Sequence, residues 1–202
     1  MTDTTNDRQR ALQIDVQRLL GRNMLRLQQY ERLLKAILRM CHVTAISDRS
    51  SGGAVIRQAD VTLKTLGMLV GAFTGGHLFV PGAGEQDDVP EKDATGFSFR
   101  MRIGLTAEEL DRTKQDLAEL VALRNDLVHH FIEQHDIATL AGCQSALAAL
   151  QSADDRIGSH LMRLEEWARD VVQARDEFAS ILASGPVLES LVNTNGEEGM
   201  VP

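Results

Sequence analysis

Aromatic side chains are scarce in this 202-residue chain: one tryptophan, one tyrosine and six phenylalanines, 4% of the residues. Sheet-on-sheet folds draw on aromatic and β-branched residues for their facing surfaces. The scarcity, set against abundant leucine and alanine, therefore points to packed helices. Cysteine is nearly absent. Two residues, Cys41 and Cys143, are too few for a disulfide-stapled scaffold, and a reducing cytoplasm is the simpler setting. Long hydrophobic runs are lacking as well. The least polar stretch, LGMLVGAFTGGHLFVPGA at 66–83, carries no formal charge but is interrupted by glycines and by Pro81. It reads as a buried helix followed by a loop rather than a membrane span. The start, MTDTTNDRQR, is polar and acidic with no apolar segment behind a basic cluster, so no secretory signal is read there. PGAGEQ at 81–86 has two glycines but no Lys-Ser/Thr, so it is not a phosphate loop. His129, Glu133 and His135 do not form a familiar metal-ligand set. Ser159 and His160, as helix neighbours, point apart and do not read as a triad fragment.

What is present is enough chain for one domain with its own hydrophobic core. The net charge of −8 argues against a general nucleic-acid coater. The charge is polarised, however. Residues 8–64 hold eleven Lys/Arg against four Asp/Glu, and residues 65–202 hold ten against twenty-three. The N-terminal third could present a basic face, or its cations could pair with the acidic later helices; the composition leaves both open.

Hydrophobic spacing predicts a first helix over 8–41, with Leu12, Val16, Leu19, Leu27, Tyr30, Leu34, Ile37 and Cys41 inward. Arg18, Arg22 and Arg26 form a stripe at four-residue steps. A second helix is predicted over 55–73, with Val61, Leu66, Leu69, Val70 and Phe73 buried. A glycine-rich connection over 74–95 follows. GFSFRMRI at 96–103 alternates apolar and polar residues and predicts a short extended segment. TAEE at 106–109 is a capping-box pattern that opens a third helix running to about residue 134. A fourth helix is predicted over 139–182, with a kink near Gly158 and Trp167 as an anchor of its core face. Residues 1–7 and 184–202 read as disordered ends around a helical domain over 8–183. The fold class is all-α: a four- to five-helix bundle with a glycine-rich excursion and a short extended segment between helices two and three.

The third helix carries the unusual stretch. VALRNDLVHHFIEQHD at 121–136 places Arg124, Asn125, Asp126, His129, His130 and His135 where a helix should keep burying apolar groups. Its apolar phase passes through Leu110, Leu117, Leu120, Val121, Leu127, Val128 and Phe131, which puts Arg124 on the packed side. A buried guanidinium needs a partner, and Glu165 or Glu166 of the fourth helix would supply one. Asn125 and His129 share a face, as do Asp126 and His130. Arg124 and His129 lie about 140° apart on a regular helix, so one chain alone would not place them ideally on a common target, whereas two copies facing each other across a two-fold axis could bring both arginines and both histidines into one cleft.

RNDLVH, Arg124 to His129, resembles the R-N-x-x-x-H motif of the HEPN superfamily, and it lies late in a long helix of an all-α chain with another long helix following. The resemblance implies a dimeric, metal-independent endoribonuclease, of the kind found in toxin–antitoxin and phage-defence systems. RNA would be the substrate, with no cofactor, no membrane and a cytoplasmic setting. It implies catalytic roles for three residues. Arg124 would bind the scissile phosphate, and His129 would serve as general base or acid. Asn125 would orient the histidine or bond the phosphate. Asp126 and His130 are supporting candidates. The products would be a 2′,3′-cyclic phosphate and a free 5′-hydroxyl. Members silenced by nucleotidyl transfer from a partner enzyme carry a tyrosine two residues after the motif histidine. Phe131 stands there, and Tyr30 is the one tyrosine. A cognate antitoxin, if one exists, would act differently. The alternative is a non-catalytic HEPN-like module that binds nucleotides or proteins, which suits the acidic balance.

Overall fold

Apolar residues recurring at helical spacing over a long N-terminal stretch make α1 (Thr2–Cys41), which starts ahead of the Arg8 boundary that the apolar pattern suggests. It buries Val16, Leu27, Tyr30, Leu34, Ile37, Leu38 and Cys41. The computed structural model describes residues 2–48, 53–82 and 96–183. Beyond α1 the order is β1 (His42–Asp48), β2 (Gly53–Gln58), α2 (Leu66–Gly76), β3 (Leu78–Phe79), β4 (Gly96–Arg100) and β5 (Ile103–Gly104). Then come α3 (Ala107–Asn125), a π-helical turn (Asp126–His130), α4 (Phe131–Gln134) and α5 (Leu140–Ala183). The architecture is an all-α bundle that carries a small β excursion. The C-terminal stretch read as a disordered tail, and 83–95 of the glycine-rich connection, lie outside the described residues.

α1 and α5 form the spine. Gln9 and Gln13 donate to the Ala138 and Ile137 carbonyls just before α5. Asn23 Nδ2 donates to Leu150 O at 2.9 Å, and Arg26 Nη1 to Asp154 Oδ1 at 2.6 Å. Rising numbers on one helix meet rising numbers on the other, so the two run parallel. α3 runs against α5: Asp116 pairs with Arg163 and Glu119 with Arg156. The shared core includes Leu34, Phe73, Leu120, Leu150, Ile157 and Leu164, all fully buried. Each such side chain contributes about 1.5–3 kcal/mol of burial. Trp167 anchors this face as expected, its ring 5.3 Å from that of Phe73.

The arginine stripe is ion-paired, with Arg26 part-buried and Arg18 and Arg22 largely exposed. Asp154 of α5 receives both Arg22, at 3.2 Å, and Arg26, while Arg18 turns to Asp15 at 3.2 Å. Of the two readings of the charge asymmetry, pairing with the later acidic helix describes this face. α5 is one continuous helix through Gly158, the position read as a kink. A Cβ at Gly158 would stand 3.0 Å from Arg26 Nη2, so the glycine makes room for the Arg26–Asp154 contact.

The second helix begins at Leu66, not near Val55. Residues 42–48 and 53–58 instead pair as antiparallel strands, with Val43 opposite Gln58 and Asp48 opposite Gly53. β4 adds to the other edge of β1, Val43 opposite Phe99, so the alternation in GFSFRMRI does mark a strand. Valine and isoleucine in both stretches, and threonine in the first, suit a strand once a neighbour is there to pair with. Asp60 accepts from the Thr62 N–H at 3.1 Å and ends the extended run in a turn. Val61 is buried as predicted, but from a loop. β3 and β5 pair in parallel, Leu78 opposite Ile103. α3 starts with the predicted capping box: Glu109 N–H donates to Thr106 Oγ1, and the Glu109 carboxylate accepts from the Thr106 N–H at 2.9 Å.

Candidate functional site

The last turn of α3 widens into the π turn at Asp126–His130, anchored by Leu127 within it and Phe131 just after, both buried. In an α-helix side chains four apart stack; an i→i+5 backbone pattern stacks those five apart instead. Arg124 and His129 are five apart. On this single chain Arg124 Nη1 stands 3.4 Å from His129 Nε2 and donates at 3.1 Å to Asn125 Oδ1. The expectation that one chain alone would not place Arg124 and His129 ideally assumed a regular helix; the π turn brings the two side chains into contact within one chain. Arginine has donors and no acceptor, so a hydrogen bond between the two requires the tautomer with the Nε2 lone pair toward the guanidinium.

The widened turn also shifts the buried phase. Val128 is 38% exposed rather than inward. Arg124 is half-buried, and its bonds run to the motif residues; Glu165 and Glu166 are exposed on α5 and do not pair with it. Asn125 holds the guanidinium rather than the imidazole. His129 and Asp126 are exposed. His130 is exposed too, with Nδ1 3.2 Å from Glu133 Oε2 and its ring centre 6.3 Å from that of His129. His135 packs on Phe131, ring centres 5.0 Å apart, and its Nδ1 lies 3.4 Å from Ser145 Oγ, away from the arginine. Phe131 is buried at the motif's end, and Tyr30 lies in the core, where burial pushes its phenol far above the ordinary range.

Sequence reasoning missed the ground beside Arg124. A cleft of about 390 Å³ is lined by Met24, Leu27, Gln28, Glu31 and Arg32 of α1, Leu66 at the start of α2, and Arg124 itself. The α1 residues recur at three- and four-residue steps, so they share a face, but nothing in their local pattern tells that α2 and α3 close a cleft over them.

The other titratable groups with displaced pKa values lie elsewhere. Burial holds His77 below the ordinary imidazole value; its Nδ1 is 3.1 Å from Met101 O, between the end of α2 and β5. Burial lowers His160 too, against the opposing pull of the Asp116 carboxylate, and its ring stands edge-on to Tyr30. The Cys41 thiol is pushed up to about 11 by burial, which makes it an inert core group. Among the described residues no cluster of three or more His, Cys, Asp or Glu is placed to hold a metal ion. No helix among them is long and apolar enough to cross a membrane.

Comparison of the chain with protein-family models, with curated proteins and with solved structures finds no match in any of the three. Function must therefore be argued from the chemistry of the site.

Proposed function

We propose that this protein is an endoribonuclease of the HEPN type, acting on RNA through Arg124, Asn125 and His129. The observation that carries the reading is the π turn, which sets a guanidinium and an imidazole nitrogen in contact, 3.4 Å apart, at an exposed surface. That pairing suits attack by a ribose 2′-hydroxyl. The guanidinium leaves His129 to fork onto the phosphate oxygens. His129 Nε2, released, accepts the 2′-hydroxyl proton as the oxygen bonds to phosphorus. The 5′-oxygen departs and takes a proton from a second acid, supplied by an imidazole of a second copy of the chain or by water. Asn125 keeps the guanidinium aimed, and Asp126 and His130 stand close enough in sequence to tune the site. The ends left are a 2′,3′-cyclic phosphate and a 5′-hydroxyl. None of these steps calls for a metal or a cofactor. A homodimer is the working unit in this reading, and a toxin or phage-defence role with an antitoxin of its own follows from it.

The acidic balance of −8 favours a second reading, a non-catalytic module that binds a nucleotide or a protein partner at the same groups. One experiment separates them. Purified protein is incubated with total RNA in excess chelator, and the RNA ends are typed. The nuclease reading expects cyclic-phosphate ends that His129→Ala abolishes. Cleavage that persists undiminished in His129→Ala defeats the assignment. Thermal stabilisation by nucleotides with no cleavage selects the module.

A further inference from the structure

The cleft beside Arg124 differs in charge from two other polar clefts among the described residues. The one along Arg18 and Arg22 is closed by Asp15 and Asp154, which pair with those arginines. In the one along Arg156 and Arg163, Asp116 of the lining pairs with Arg163, and Arg156 pairs with Glu119 of α3. The cleft at Arg124 has two guanidinium groups without a carboxylate partner among the described residues. Arg124 bonds to Asn125 and His129, and Arg32 is exposed with no ion pair. Its floor is apolar, from Met24, Leu27 and Leu66. Its rim carries Gln28 and Glu31. Lys35 takes one oxygen of the Glu31 carboxylate at 2.8 Å and leaves the other to accept. A volume of about 390 Å³ falls in the range of small-molecule sites and exceeds what one flat ring system needs.

We propose that this cleft is a nucleobase subsite that selects guanine in the nucleotide adjoining the phosphate held by Arg124. The inference rests on the ribonuclease reading for its phosphate, but its chemistry is separate. Unpaired RNA bases are recognised by stacking on aromatic side chains or on arginine guanidinium planes, the second of which this cleft supplies, and by hydrogen bonds to their edges. Guanine alone among the four bases presents adjacent N–H donors on N1 and N2 beside acceptors at O6 and N7. The free Glu31 oxygen accepts from the first pair, and Arg32 donates to the second, the commonest arginine–base pairing. Gln28, four residues before Arg32 on the same face, can serve either edge. Arg124 is the shared wall, so a base in the cleft and a phosphate at His129 belong to one strand.

The test uses the full-length protein and two changes in the cleft, Arg32→Ala and Glu31→Gln, with thermal unfolding to confirm that both fold. Guanosine, adenosine, cytidine and uridine 3′-monophosphates are titrated by calorimetry, and cleavage positions are mapped on a random RNA pool. Guanosine 3′-monophosphate should bind about ten-fold or more tighter than the pyrimidine nucleotides, and each change should erase most of that preference. Equal affinities for the four nucleotides, no binding of any of them, or a guanine preference intact in both variants would overturn the subsite. Cleavage mapped with no preference for guanine removes the subsite and leaves the nuclease. Guanine-selective binding lost in both variants, with no cleavage of any RNA, upholds the subsite and removes the nuclease.

Discussion

Consider Arg124→Ala, His129→Ala and the double variant, measured together. His129 is exposed, and its one recorded bond to Arg124 is long, 3.4 Å. Truncating it should cost no more than about 0.5 kcal/mol of stability. Arg124 is half-buried with its stem over the cleft floored by Leu27 and Leu66, so its loss should cost about 1 kcal/mol, mostly in packing. For a chain of this size that is a fall in Tm of roughly 2–4 °C, and both single variants should remain folded by far-UV circular dichroism. Activity should respond on another scale. Loss of a general base costs about 10²–10⁴-fold, and loss of an oriented phosphate donor about 10²–10³-fold. Independent residues would multiply to roughly 10⁴–10⁷-fold in the double variant. Groups in contact act as a unit, so the double variant should fall within about ten-fold of the weaker single one. Single-turnover cleavage of a fluorogenic RNA reads the activities. Fully multiplicative losses would show that the π turn's contact has no catalytic meaning. Unimpaired cleavage by the double variant would refute the whole assignment.

Two stability predictions follow from the fold. Asp154 holds Arg22 and Arg26 and is itself mostly buried, 15% exposed; Asp154→Ala should cost about 2 kcal/mol by chemical denaturation. Asp15→Ala, at the exposed Arg18 pair, should cost about 0.5 kcal/mol or less, and equal losses would contradict the burial argument. His77 is held neutral by burial, its pKa below the ordinary 6.5. Above that ordinary value neither state binds the proton; below it the unfolded chain binds it first. The contribution of His77 to stability should therefore be flat above about pH 7 and fall as pH drops below about 6.5, until the folded-state value is passed. His77→Gln should flatten the part of that decline due to this residue in Tm measured against pH, leaving the part due to His160; a slope unchanged by the substitution would sink the account.

Local pattern carried much of this into view. The capping box at Thr106 and Glu109, the inward faces of α1 and α5 and the extended run at 96–100 depend on residues within a turn or two of one another. The strands over 42–48 and 53–58 did not show, since their valines and isoleucines also fit a helix end, and only a paired neighbour decides between the two. The arginine stripe was visible, but its satisfaction by Asp154 was not, because well over a hundred residues separate the partners.

The amino-acid order by itself determined that the chain is helical, that its N-terminal third is basic, and that an arginine, an asparagine and a histidine share one short stretch. These are properties of composition and of short-range periodicity. Tertiary structure decided where those side chains point. Leu127 and Phe131 are both held in the core, and the helix between Asn125 and Phe131 widens to a π turn. That widening turns Arg124 onto His129, while α1 and α2 complete the cleft beside them. Such a placement depends on packing between distant segments, which no local spacing encodes.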